Sequence, residues 1–339
     1  MAKTAVADVI IPEKFARYVI ERTAERARFR ESGIIGTDSE FDGIANGGGQ
    51  TVKMPFWKDL TGGRQLLSDS GALTVNKITA AQDIARIHND ANAWSVNLLA
   101  KLLSGEDPMA AIGDLLADYW AREDELMLIS SIKGVLAALD AEAGDPNYLK
   151  IASESIAGQS AATRLTGITF IDALLKLGDA ANRLEAIAMH SATEGALKKL
   201  DLIDFVPDSE GKATIPSFQG RRVVVDDTMP TRAGTTDGTV YTSVLFGPGA
   251  CAKGSATLSA EPLLGGFGTE AVEFARVALN SDDVLINRRR HILHPRGVRF
   301  NSVSIDGDSP TNAELEEAQQ WTRVYEAKNV RVVGILHNN

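Results

Sequence analysis

The longest hydrophobic pattern in the chain has a helical period. From Ile112 through Leu115, Leu116, Tyr119, Trp120, Leu126, Ile129, Ile132, Val135 and Leu136 to Leu139, apolar residues recur every three or four positions, the spacing that keeps them on one helix face. Asp107-Pro108 supplies the start, with the aspartate as N-cap and the proline in the first helical position. A helix from Asp107 to about Asp140 follows, roughly 50 Å long at 1.5 Å per residue. Between Asp107 and Glu142 it carries eight acidic residues against two basic ones, which predicts a solvated acidic face.

Upstream, the pattern changes to that of strands. Thr51 to Trp57 is extended, with Pro55 pointing to a sheet edge. Asp59 to Gly71 is rich in turn formers, and a second extended passage, Ala72 to Asn89, carries Leu73, Val75, Ile78, Ile84 and Ile87. Two strands joined by a long polar tip form a projecting hairpin. An isolated hairpin is marginal in water, so this one needs a partner surface, for which another subunit is a candidate. A short helix is expected from Trp94 to Leu103. Before the hairpin, Phe15, Tyr18, Val19 and Arg22 recur at helical spacing within 13–31, a segment that reads either as a docking arm or as a helix packed on its own domain. Gly33 to Gly49 reads as a hinge, because its three consecutive glycines lack the Lys-Ser or Lys-Thr of a phosphate loop.

Downstream, 145–167 is polar and irregular and marks a domain boundary. Helices over Thr169–Leu184 and Thr193–Leu200 flank an apolar strand, Ala186–Met189, and further strands follow at Phe218–Asp227 and Val240–Phe246. This interleaving describes an α/β block of about 100 residues. Extended structure returns from Glu270 to Phe300 and again over Val330–Leu336.

Composition narrows the function. A net charge of −10 over 339 residues argues against a chain devoted to gripping nucleic acid, which needs many cations to neutralise phosphates. No apolar run is long enough to span a membrane, and the first apolar patch is too short and too soon charged for a signal peptide, so cytosolic synthesis is expected. Cys251 is the only cysteine; it excludes an intramolecular disulfide and reads as a small buried hydrophobe.

Catalytic signals are weak. Asp226-Asp227 after Val223-Val224-Val225 resembles a carboxylate pair at a strand end, but reads better as a turn. His291 and His294 are three apart in an extended segment and so point to opposite faces, unsuited to one metal. In 247–255 Lys253 precedes Gly254, the wrong order for a phosphate loop, and neither a Gly-x-Ser-x-Gly nor a His-Glu-x-x-His motif occurs. No cofactor is expected. The strong positive cluster is Arg288-Arg289-Arg290 with Arg296 and Arg299, in a stretch free of acids from Ile286 to Phe300. Its partners are carboxylates of the long helix, carboxylates of neighbouring molecules, or DNA. The acidic balance favours carboxylates, which arginine pairs with in bidentate fashion.

Taken in order, these segments resemble the major capsid proteins of tailed phages with the Hong Kong 97-type fold. The resemblance rests on VKMPFWKDL, LLSDSGALTVNKITAAQDIARI, DPMAAIGDLLADYWAREDELMLISSIKGV, FIDALLKLGDAANRLEAIAMHSATEGALKKLDLIDFVPDSEG, IPSFQGRRVVVDDTMP, VYTSVLFGPGA and INRRRHILHPRGVRF. It implies an α+β fold with an N-terminal arm (1–49), an extended loop (50–90), a peripheral domain (91–148 and 265–339) with a spine helix over 107–143, and an axial domain (149–264). It also implies a non-enzymatic coat protein that assembles as hexamers and pentamers into an icosahedral virion shell around double-stranded DNA, built in the bacterial host cytoplasm. The assembly-interface candidates are Lys53, Trp57, Lys58, Arg64, Arg288, Arg289, Arg290 and Arg296. Expected partners are further copies of the chain, a separate scaffold protein, a portal and a decoration protein, with weak non-specific DNA contact and no membrane. Some relatives join a lysine to an asparagine covalently; Lys53, Lys58 and Lys77 lie in or near the loop, but no glutamate matches the catalytic position, so an uncrosslinked shell is expected. Two other readings are an encapsulin-type cellular compartment and a metal-dependent hydrolase centred on Asp226 and Asp227.

Overall fold

A computed structural model describes residues 29, 32–37, 39–45, 49–66, 73–97, 102, 107–142, 144–207, 214–256, 271–277 and 282–339. The helix expected within 13–31 lies outside them, apart from Phe29, which is buried. Strands in chain order are β1 (Ile35–Thr37), β2 (Thr51–Trp57), β3 (Ala80–Asn97), β4 (Tyr148–Lys150), β5 (Ala186–Met189), β6 (Ile203–Pro207), β7 (Thr214–Phe218) and β8 (Arg221–Val225). They continue with β9 (Thr231–Ala233), β10 (Thr239–Phe246), β11 (Cys251–Ser255), β12 (Ala271–Val277), β13 (Asp282–Pro295), β14 (Val298–Phe300), β15 (Trp321–Arg323) and β16 (Val332–His337).

Two sheets organise the molecule. The first has the order β1-β11-β13-β3-β2, with β12 also paired to β13. The second has the order β4-β16-β10-β5-β8-β7-β6, with β9 on β10. Alternation in the central strands of the second sheet serves two cores. Ala186, Ala188, Val224, Val244, Phe246 and Val332 face the long helix, whereas Ile187, Met189, Val223, Leu245, Val333 and Ile335 face Phe170, Leu177 and Leu197. Covering both faces makes these strands hydrophobic throughout, which is why Val332–His337 is buried at every position.

The long helix spans Pro108–Ala141, and the Asp107 carboxylate accepts from the Met109 N–H at 3.1 Å. Its second half is a packed beam: Leu128, Ile132, Val135, Leu136 and Leu139 are buried against β14, β15 and the second sheet. Gly134 marks its closest crossing. A Cβ there would lie 2.5 Å from Trp321 Nε1 and nearer still to the Leu315 carbonyl.

Several expectations need correcting. Trp94–Leu103 does not start as a helix: β3 runs on to Asn97, because each residue from His88 to Asn97 pairs with β13. Thr169–Leu184 is a helix only over Gly167–Leu175, followed by a 3-10 segment, Gly178–Arg183. The divisions at 149 and 265 cut across the sheets. β16 comes from beyond 265 yet lies between β4 and β10, while β11 lies before 265 yet pairs with β13. Long-range strand pairing, invisible to local patterning, decides both. The acidic face of the helix is also not wholly solvated, since Asp124 and Glu125 are buried, with Glu125 accepting from the Phe29 N–H at 3.0 Å.

Candidate assembly surfaces

The hairpin is built by β2 and the first half of β3, registered from Thr51–Arg86 to Trp57–Ala80. β2 is the edge strand that Pro55 predicts. Its root is tied down: Gln50 Nε2 donates to Asp308 Oδ1 at 2.8 Å, Arg86 donates to the Asp308 carbonyl at 2.6 Å, and Phe56 packs edge-on against Tyr325. Beyond Trp57 the strands stop pairing, except for Lys58 N–H to Thr79 O at 2.9 Å. The Gln65 side-chain amide then brackets the backbone of Thr74 at 2.6 and 2.8 Å, holding the two arms together.

These arms display apolar side chains to solvent. Leu60 is 78% exposed, Leu66 77%, Val75 93% and Trp57 69%. Lys53, Lys58 and Arg64 are exposed beside them. Four of the eight interface candidates, Lys53, Trp57, Lys58 and Arg64, therefore share one element with several exposed apolar side chains.

The basic strand divides by face. Arg289 and His291, two apart on β13, register opposite Asp90 and His88 on β3 and meet the long helix. Arg289 donates to Asp124 at 2.6 Å and to Asp90 at 3.1 Å, and its guanidinium lies 4.0 Å from the ring centre of Trp120. Lys253 of β11 binds the other oxygen of Asp124. His88 and His291 stack 5.5 Å apart, and His291 lies 3.7 Å from Asp90 and 3.8 Å from Asp124. Burial, reinforced by Arg86 and Arg289, pushes His88 down to about 3, and burial with Arg289 beside it holds His291 well below the ordinary range. Both imidazoles are therefore neutral, and two carboxylates balance two cations. The opposite face carries His294, 3.0 Å from Asp83, whose second oxygen accepts from the Gly297 N–H at 2.9 Å. The two histidines thus point to opposite faces, as their spacing requires.

Arg289 is accordingly committed inside the chain, joining β13, β3 and the helix, and meets protein carboxylates as the charge balance implied. Arg290, half-buried, donates to the Gly49 carbonyl at 2.9 Å; Arg288 is half-buried; Arg296 is exposed, with its guanidinium 5.4 Å from the Phe41 ring centre. The sequence singles out neither Asp90 nor Asp124, and it does not join His88 or Lys253 to the arginines. Their signal was the matched two-residue spacing of His88/Asp90 and Arg289/His291, legible only once the strands were registered.

The chemistry suggested by Asp226-Asp227 has a local explanation. Asp226 Oδ1 accepts from the Thr228 N–H at 2.7 Å and from its hydroxyl, closing the turn after β8. Among the described residues no group of three or more His, Cys, Asp or Glu is placed to hold a metal, and no helix is long and apolar enough to cross a membrane. Burial pushes the Cys251 thiol up to about 12, so it packs as a hydrophobe.

No family model matches the chain. A curated relative, the major capsid protein of Bacillus phage SPP1, is 43% identical over 340 residues, covering 99% of each chain. Among solved structures, the capsid of Ralstonia phage GP4 superposes with a TM-score of 0.62 at 11% identity, covering 96% of both chains. The capsid of cyanophage Pam1 gives 0.60 at 11% identity over 96% of both chains, and the head of Helicobacter pylori bacteriophage KHP40 gives 0.56 at 9% over 97% of this chain and 95% of that one.

Proposed function

The chain belongs to the phage major capsid proteins with the Hong Kong 97-like fold, and from that premise we propose that its copies form hexamers and pentamers which close into an icosahedral shell around double-stranded DNA. The carrying observation is the 43% identity, end to end, with a phage major capsid protein. It is a structural protein of the virion that associates with itself.

In this reading residues 50–90 are the extended loop and reach across a neighbour. The exposed apolar tip and its flanking Lys53, Trp57, Lys58 and Arg64 support that assignment, since they lack a partner surface within the described part of their own chain. The long helix and first sheet form the peripheral body, and the second sheet forms the axial body gathered at the ring centres. Head-to-tail contacts of this kind close into rings. Arg288, Arg290 and Arg296 contribute at subunit borders, while Arg289 acts by fixing β13 to the helix. The shell is built in the bacterial cytoplasm with a separate scaffold protein, a portal and a decoration protein. Its net acidity limits DNA contact to weak, non-specific encounters. No enzymatic step is assigned.

Light scattering and negative-stain microscopy on the purified chain, alone and co-expressed with a candidate scaffold, test this reading. Closed shells tens of nanometres across are the expected outcome; monodisperse monomers or dimers under both conditions overturn it.

A further inference from the structure

A pocket of about 410 Å³ opens on the second sheet's helical side, away from the hairpin and the basic strand. Arg164, Leu165, Thr193, Lys199, Leu200 and Asn339 contribute to its wall. Asn338, also in the wall, is satisfied by Ser153 and Thr239, but two other polar groups are not. Thr193 is 1% exposed, and among the described residues neither its hydroxyl nor the buried side-chain amide of Asn339 has a hydrogen-bond partner. Arg164 and Lys199 are exposed and form no ion pair among the described residues. A buried hydroxyl without a partner is unfavourable, so an occupant that supplies an acceptor is favoured. Two cations at the wall make that acceptor an anion, and Leu200, 54% exposed, offers apolar surface beside it.

A helix face among the described residues has that composition. The helix Gly167–Leu175 exposes Ile168 (76%), Ile171 (48%) and Leu175 (68%), and Asp172 is exposed between them. These positions follow i, i+3, i+4, i+7, a single helix face. None of the four lines the pocket, and Asp172 forms no ion pair among the described residues.

We propose that within a capsid ring the face Ile168–Ile171–Asp172–Leu175 of one copy seats in this pocket of the next copy. The Asp172 carboxylate accepts from Arg164, Lys199 and the Thr193 hydroxyl, and the three apolar side chains cover Leu200. The contact is heterologous, so repetition around the axis closes a ring. It rests on the shell reading above and names which face of the axial body meets which.

Charge reversal in both directions tests it. Asp172→Arg alone, and Arg164→Glu with Lys199→Glu alone, are each expected to raise the concentration needed for half-maximal assembly by about tenfold or more. The triple variant is expected to recover most of that loss, because the reversed charges again meet across every contact. Circular dichroism melts of the unassembled chains check folding; should a reversal fail to fold, Asp172→Asn and Arg164→Gln replace it, with a smaller and non-additive loss expected. Singly reversed chains that assemble like the wild type, or a triple variant no better than the reversals from which it is built, overturn the contact. A wild-type chain that forms no shells overturns the shell reading itself, and this contact with it.

Discussion

Replacing Asp124 by asparagine tests the joint between the long helix and the first sheet. The substitution keeps the size of the side chain and removes a charge that faces Arg289 Nη1 at 2.6 Å and the Lys253 ammonium. The Arg289 side chain is 7% exposed, so its charge cannot recover full hydration. Deleting one member of a buried ion pair costs about 3–5 kcal/mol, mainly from the stranded partner. Two features pull towards the lower end. Asp90 still meets Arg289 at 3.1 Å, and the Lys253 side chain, 22% exposed, can turn to water. A loss of about 3 kcal/mol follows. At about 1.4 °C per kcal/mol for a chain this long, the unassembled protein should melt roughly 4 °C lower. Calorimetry or urea unfolding of unassembled chain reads the effect. Adding Arg289→Met should cost less than it does in the wild type, because it removes the stranded charge. A melting temperature within about 1 °C of the wild type, or strict additivity of the two substitutions, would refute the reasoning.

Acid should weaken the fold through buried histidines. His88 is pushed down to about 3 and His337 to about 4, chiefly by burial, and His291 lies well below its ordinary value. The unfolded chain then binds the extra protons, so this stability is complete above about pH 6.5 and is lost as pH falls towards 4. With about 1.4 kcal/mol per pH unit for each histidine, a melting temperature unchanged between pH 7.5 and 5 contradicts the assignment; Asp90, whose pKa burial raises, opposes the trend as pH falls through its own titration. Gly134→Ala gains about 1 kcal/mol of helix propensity but forces a Cβ against the Leu315 carbonyl and Trp321, so a net loss of about 1–2 kcal/mol is expected; a melt equal to or above the wild type refutes the close crossing. Val75→Asp, at a site 93% exposed, should leave the unassembled chain within about 0.5 kcal/mol of the wild type while reducing shell yield, and undiminished assembly measured by sedimentation would remove the tip from the interface.

Local chemistry carried the sequence reading where it succeeded. The Asp107-Pro108 start, the apolar period to Leu139, the edge position of Pro55 and the strand Ala186–Met189 all follow from forces acting within a few residues. What escaped it depends on pairing across the chain. Trp94 to Asn97 looks helical alone, yet β13 recruits it as strand. Val332–His337 gives no hint that its neighbours are Tyr148–Lys150 and Thr239–Phe246. Asp124 sits in an acidic run that suggests solvent, and only the approach of Arg289 and Lys253 makes burial affordable. The pocket beside Thr193 combines residues from 164 to 339, so no window of sequence contains it. The exposed hairpin was the most legible surface, because an extended polar tip with Leu60, Leu66 and Val75 cannot bury itself.

Electron cryomicroscopy of particles formed by the chain, reconstructed well enough to trace the backbone, measures the central claim directly. The expected structure is a closed icosahedral shell in which the hairpin beyond Trp57 lies on an adjacent subunit, with Leu60, Leu66 and Val75 covered there. Particles that lack closed symmetry, or a hairpin folded back on its own chain with those side chains still in solvent, would contradict it.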